Sequence, residues 1–174
     1  MEYVNHPRYG NNPIPSGEHF DIGEIRSAHW RYHKLTFFAH TAIAADTAKQ
    51  NYVMYPRKIY VDIEQTCKSC SRKFIFFAKE QQYWFEELSF YVDSHCTKCF
   101  SCRSVSRETK RLECRYQILK IMPNRTPEQI DALRRIAAQL YQRGLIKNKH
   151  LLNVVNRVNS LPTVYLGANT DYYQ

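Results

Sequence analysis

The chain has 174 residues, 44% of them hydrophobic and 14% aromatic, which is enough to bury a core and excludes a disordered tail. Its 25 lysines and arginines outnumber 16 aspartates and glutamates, and the formal charge of +9 favours acidic partners such as nucleic acid. No basic segment followed by an apolar stretch opens the chain, and the longest apolar run, near residues 35–45, is broken by His40 and Thr41, so neither a signal peptide nor a membrane span is predicted and a soluble cytoplasmic protein is expected.

Residues 1–17 are rich in Asn, Pro, Gly and Tyr without periodicity and read as a loose arm. Between residues 19 and 50 the apolar positions fit a helix or short strands, and one short helix is predicted within an N-terminal segment 1–42. His29 and His33 stand four apart with His40 nearby, a spacing that could face a metal. Trp30, Phe37 and Phe38 around them instead favour a packing segment with surface histidines. Residues 58–63 and 73–77, β-branched and aromatic, predict two strands of a hairpin whose tip is the Cys67–Cys70 turn. Residues 78–88 predict a helix with Tyr83, Trp84, Phe85 and Leu88 at spacings that could cover one side of the metal site. Aromatic residues of this stretch, with Phe90 and Tyr91, could stack on bases, but a small domain needs most of them for its core.

Beyond Cys102 the sequence turns helical. Val105, Leu112, Tyr116 and Leu119 share one face of a helix ending before Pro123. Thr126-Pro127-Glu128-Gln129 is a capping-box start for a second helix with Ile130, Leu133, Ala137 and Leu140 on its apolar face and Gly144 as its stop. A third helix is predicted over about 148–158, followed by a tail at 161–174.

Cys67 and Cys70, then Cys99 and Cys102, form two C-x-x-C pairs separated by 28 residues. Four thiolates suit a tetrahedral Zn²⁺, and closely spaced pairs in a reducing compartment favour metal over disulfides. A set of four thiolates closes the coordination sphere, so the ion is structural and no enzyme is expected. The deaminase signature is also missing, because His95 is followed by Cys96. Cys96 and Cys99 make a further C-x-x-C, so spacing alone leaves Cys96 and Cys102 as alternatives for the fourth position, with Cys99 a ligand either way. Cys114 is expected to be a small core or boundary residue.

Ala45-Asp46 with Lys49-Gln50, Tyr60-Val61-Asp62, the first cysteine pair, Glu80-Gln81-Gln82 with Tyr83-Trp84, and the closing Cys99-Phe100-Ser101-Cys102-Arg103 form a set over about residues 43–103. That set resembles the probable zinc-ribbon domain family. In the family an Arg commonly follows the last cysteine and a Pro often shortly precedes the third; Arg103 fits the first feature and Cys96 takes the Pro position. The resemblance thus implies Cys102 as the fourth ligand and Cys96 as a spare thiol. It implies bound zinc and a ribbon fold and brings no activity with it. Ser71 and Ser89 stand where the family often has Gly.

Charge is unevenly spread: residues 1–62 carry 7 basic and 6 acidic side chains, 63–102 carry 5 and 5, and 103–174 carry 13 and 5. Arg103, Arg107, Arg111 and Arg115 recur every four residues with Lys110 beside them, a stripe suited to phosphate contacts or, partly neutralised by Glu108 and Glu113, to a solvated face. Arg134, Arg135, Arg143, Lys147, Lys149 and Arg157 extend the basic character. The expected protein is α+β: an arm (1–42), a zinc ribbon made of a hairpin, a helix and a second knuckle (43–103), a basic helical segment (104–160) and a tail (161–174). Its expected function is non-catalytic, with structural Zn²⁺ and RNA or DNA as partner and no membrane or small-molecule substrate. An adaptor for an acidic protein is the first alternative, and a thiol enzyme or sensor using Cys96 or Cys114 the second.

Overall fold

A computed structural model describes residues 2–148, so the predicted third helix falls almost wholly, and the 161–174 tail entirely, outside the described residues. The chain divides into two compact units, Met1–Val105 and Ser106–Gln174.

In the first unit, β1 (Phe37–Ala44), β2 (Ile59–Thr66) and β3 (Lys73–Phe76) form an antiparallel sheet in that order. β2 is central and its first five residues are buried, as the apolar run at 58–63 requires for a strand covered on both faces. Period-two alternation divides its side chains. Ile59, Val61 and Ile63 pack with Ile25 and Ala28 of α1 (Ile22–Ala28) and with Tyr32 of a 3₁₀ turn (Trp30–Lys34). Tyr60 packs on the opposite side with Ala78, Phe85 and Val92. The β1–β2 register shifts between Phe38 and Ile43, and the Thr41 hydroxyl fills the gap: it accepts the Asp62 N–H at 2.8 Å and donates to the Phe38 carbonyl at 2.7 Å.

Two N-terminal expectations change here. The short helix exists as α1, but residues 37–44 are a strand, so the expected boundary at 42/43 falls inside β1. Of the two patterns that fit this stretch, the strand is realised because β2 offers it a partner. Residues 1–17 are also pinned rather than loose: Val4 N–H donates to the Lys73 carbonyl on β3 at 2.9 Å, and Ile14 N–H to the Asp62 carboxylate at 3.0 Å.

α2 (Ala78–Gln82) follows β3 and runs into a π-helical turn, Tyr83–Glu87. α3 (Phe100–Ile121) begins at the second cysteine pair, and the division between the units lies within it. In the second unit, Tyr116 and Leu119 of α3 pack with Leu133, Ile136, Ala137 and Leu140 of α4 (Pro127–Gln142). Leu112 is half-buried against that cluster, while Val105, expected on the same face, is 58% exposed. α4 starts with the predicted capping box: Gln129 N–H donates to the Thr126 hydroxyl and Thr126 N–H to the Gln129 side chain. It stops in a Schellman arrangement, with Gly144 at φ +71°, Gly144 N–H donating to the Tyr141 carbonyl and Leu145 N–H to that of Leu140.

Candidate metal centre

The β2–β3 turn carries Cys67 and Cys70 and is closed by backbone bonds: Ser71 N–H donates to the Cys67 carbonyl at 2.8 Å, and Cys67 N–H to that of Arg72 at 3.0 Å. Ser71 sits at φ +57°, a left-handed conformation that glycine adopts at lower cost than a residue with a Cβ. Cys99 immediately precedes α3 and Cys102 lies in its first turn, where Arg103 N–H bonds the Cys99 carbonyl at 2.9 Å. The second pair is thus carried by a helix start rather than by a second loop knuckle. The two pairs are tied by Lys68 N–H, which donates to the Thr97 carbonyl at 2.9 Å.

The sulfurs of Cys67, Cys70, Cys99 and Cys102 all lie within 4.8 Å of one another, with Cys70 and Cys99 at 3.9 Å. Sulfurs at about 2.3 Å from a tetrahedral ion stand about 3.8 Å apart, so the cluster fits one metal with little adjustment. None of the six cysteines is in a disulfide. Burial raises the Cys67 thiol, but N–H groups of Cys99, Cys70 and Ser69 outweigh it and bring the thiol down to about 6. The Arg72 N–H, followed by its side chain, also lowers Cys70. Hydrogen bonding to Cys99, then burial, pushes Cys102 up to about 12, and burial raises Cys99. N–H groups aimed at Cys67 and Cys70 favour their thiolates, the form that a metal ion takes as ligand.

Cys96 is buried and donates to the Lys98 carbonyl at 3.0 Å; burial pushes its thiol up to about 12. It packs beside the cluster with Phe74 and Phe76 without joining the four-sulfur set. Cys114 is exposed on α3, contrary to the expected core or boundary position. His29 and His33 do not converge: His29 is buried with Nε2 3.1 Å from the Asp93 carboxylate, whereas His33 is exposed. Among the described residues only the four-cysteine group has metal-binding geometry.

Arg103 is not available as part of a surface stripe. Its guanidinium pairs with Glu80 at 2.7 Å and stacks 5.0 Å from the Trp84 ring, which packs against the cysteine cluster. His6 approaches the same carboxylate at 3.6 Å. The Arg103–Glu80 pair ties the start of α3 to α2, while burial, then Arg103, lowers the pKa of the His6 ring to about 4 and leaves it neutral beside them. Glu80 was visible in the sequence as one of the shared residues, but nothing in spacing identified Arg103 as its partner. Arg107, Lys110, Arg111 and Arg115 are all exposed on α3.

Residues 61–111 match the family model described as "Probable treble clef domain". Comparison with curated proteins and with solved structures finds no match. The matched segment overlaps the cysteine-bearing part of the anticipated ribbon and runs into α3, where a knuckle and a helix start jointly supply the sulfurs. Residues 61–111 of the chain are therefore a treble clef domain with four cysteines poised for one metal ion.

Proposed function

We propose that the metal is a structural Zn²⁺ held by Cys67, Cys70, Cys99 and Cys102, and that the chain is a non-catalytic binding protein whose α3 stripe engages the phosphates of nucleic acid. Four thiolates in a small tetrahedron are the donor set of structural zinc, and they leave no position open for a reacting water. For the partner, the supporting observation is the exposed group Arg107, Lys110, Arg111 and Arg115 on α3. Glu108, one of the two carboxylates able to neutralise that face, is already engaged by Arg143 at 2.9 Å. Cations at this spacing contact phosphates without reading bases, so the binding would be salt-dependent and largely sequence-tolerant.

The test is binding of the zinc-loaded full chain to random-sequence RNA and DNA across a salt series, with a double charge reversal, Arg107→Glu and Arg111→Glu, beside it. Salt-steep binding that the reversal abolishes supports the stripe. No binding at low salt removes the nucleic-acid reading and leaves an acidic protein as the partner to be sought. No helix among the described residues is long and apolar enough to cross a membrane.

A further inference from the structure

The first unit contains a second feature, remote in chemistry from the cysteines. A cavity of about 380 Å³ lies between the 3₁₀ turn that follows α1 and the face of the sheet, within the range of small-molecule sites. Its lining combines the apolar Leu35, Ile63 and Phe76 with Arg31, Lys34, Arg57 and His95, and no carboxylate lines it.

Arg57 is the unusual member. It is 2% exposed, its terminal nitrogens donate to the Gln81 side chain at 3.0 Å and the Val92 carbonyl at 2.7 Å, and its Nε has no partner among the described residues. It also lies over the rings of Phe85 and Tyr32, at 4.7 and 5.6 Å, with the Tyr32 hydroxyl as a further polar neighbour. A buried guanidinium without a counter-charge is costly, and an anion in the adjoining cavity would offset that cost. The Nε of Arg31 is likewise buried and unpartnered. Lys34, exposed at the cavity's edge, and the half-buried amide of Gln65 make no hydrogen bond or ion pair among the described residues.

Trp30 completes the site. Its indole N–H is spent on Asp93 at 2.9 Å, which fixes the ring, yet the residue is 58% exposed. The Arg31 guanidinium lies 4.8 Å from that ring and is steadied by His95 Nδ1 at 2.7 Å. An anchored indole with a guanidinium over its ring is a stacked pair that a heterocycle can extend. Gln65 offers one donor and one acceptor to a ring edge, and the cations suit a phosphate. An inorganic ion would leave the apolar lining unused.

We propose that this cavity binds a nucleotide, its base against Trp30 and Arg31 and its phosphate toward Lys34 and Arg57, either as a free nucleotide or as one nucleotide of a strand. The proposal uses none of the α3 stripe residues and does not depend on them.

The experiment titrates the zinc-loaded full chain with AMP, adenosine, inorganic phosphate and short oligo(A), reading affinity by calorimetry and the Trp30 indole signal by NMR. Expected are saturable AMP binding that shifts the indole signal, adenosine and phosphate each weaker by about tenfold or more, and losses of similar size in Lys34→Ala and Trp30→Leu. Both substitutions are at exposed positions, and a thermal melt checks that each variant is folded. Oligo(A) binding more tightly than AMP, and weakened by the same two substitutions, identifies the occupant as part of a strand; AMP binding at least as tightly identifies a free nucleotide. The proposal is overturned if AMP does not bind, if phosphate alone binds as well as AMP, or if the two substitutions leave AMP affinity unchanged. AMP affinity should also survive the Arg107→Glu and Arg111→Glu reversal, so failure of the cavity and failure of the stripe are read separately.

Discussion

Ser71 and Ser89 adopt φ angles of +57° and +52°, a region that disfavours any residue with a Cβ. At Ser71 the conformation is enforced, because its own N–H closes the knuckle on the Cys67 carbonyl. Ser71→Gly should therefore raise stability by about 1 kcal/mol, less the entropy that glycine adds to the unfolded chain, and a urea midpoint that falls instead would contradict this. His29 carries a pH dependence. Its neutral ring accepts the Arg31 N–H on Nδ1 and faces Asp93 through Nε2. Burial, then Arg57, outweigh the attraction of Asp93 and lower its pKa to about 4. A group whose folded pKa lies below its unfolded value contributes stability that is complete above pH ~6.5 and is lost as pH falls toward 4. Removing the ring as His29→Gln should flatten the loss of urea midpoint between pH 7 and pH 5 relative to the parent; an equal loss in both would show that His29 does not contribute.

Among the elements, β2 and α2 are joined by a buried polar lattice. Gln81 is fully buried, donates to the Val61 and Phe76 carbonyls at 2.7 and 2.9 Å, and accepts from Arg57. Gln50 accepts the Arg57 N–H and donates to the Tyr60 hydroxyl and the Arg57 carbonyl. Asp62 accepts the Ala78 N–H that opens α2 at 2.6 Å. Gln81→Ala would strand two carbonyls and weaken the support of a buried guanidinium, with an expected loss of about 2–4 kcal/mol in chemical denaturation; a loss below about 1 kcal/mol would mean that water replaces the amide readily. These residues were legible in the sequence only as shared letters, Lys49-Gln50, Tyr60-Val61-Asp62 and Glu80-Gln81-Gln82, because a partner tens of residues away leaves no periodic trace. Local grammar was plain by contrast: the hairpin strands, the Thr126 capping box and the Gly144 stop are written within a few residues of where they act. β1 was harder, since its apolar spacing fits two periods and only pairing with β2 decides between them.

For the whole molecule, the cysteine spacing marked Cys67, Cys70 and Cys99 without the fold and left Cys96 and Cys102 as alternatives for the fourth position, of which the family resemblance implied Cys102. Only the structure puts the Cys96 sulfur on a carbonyl and the Cys102 sulfur among the other three. The cationic cavity was invisible in sequence because Trp30, Arg57 and His95 come from three separated segments, joined only by the sheet and the 3₁₀ turn. Concentration of positive charge after residue 102 was readable, but the removal of Arg103 into a brace with Glu80 was not. Zinc binding would contribute on the order of 10 kcal/mol to a fold of this kind, so the first unit should lose its tertiary structure on chelation. The most direct test of the account is therefore zinc content per chain, measured by mass spectrometry on the purified parent, Cys102→Ser and Cys96→Ser. One zinc in the parent and in Cys96→Ser, with loss in Cys102→Ser, is the predicted result; zinc retained by Cys102→Ser and lost from Cys96→Ser, or no zinc in the parent, would contradict it.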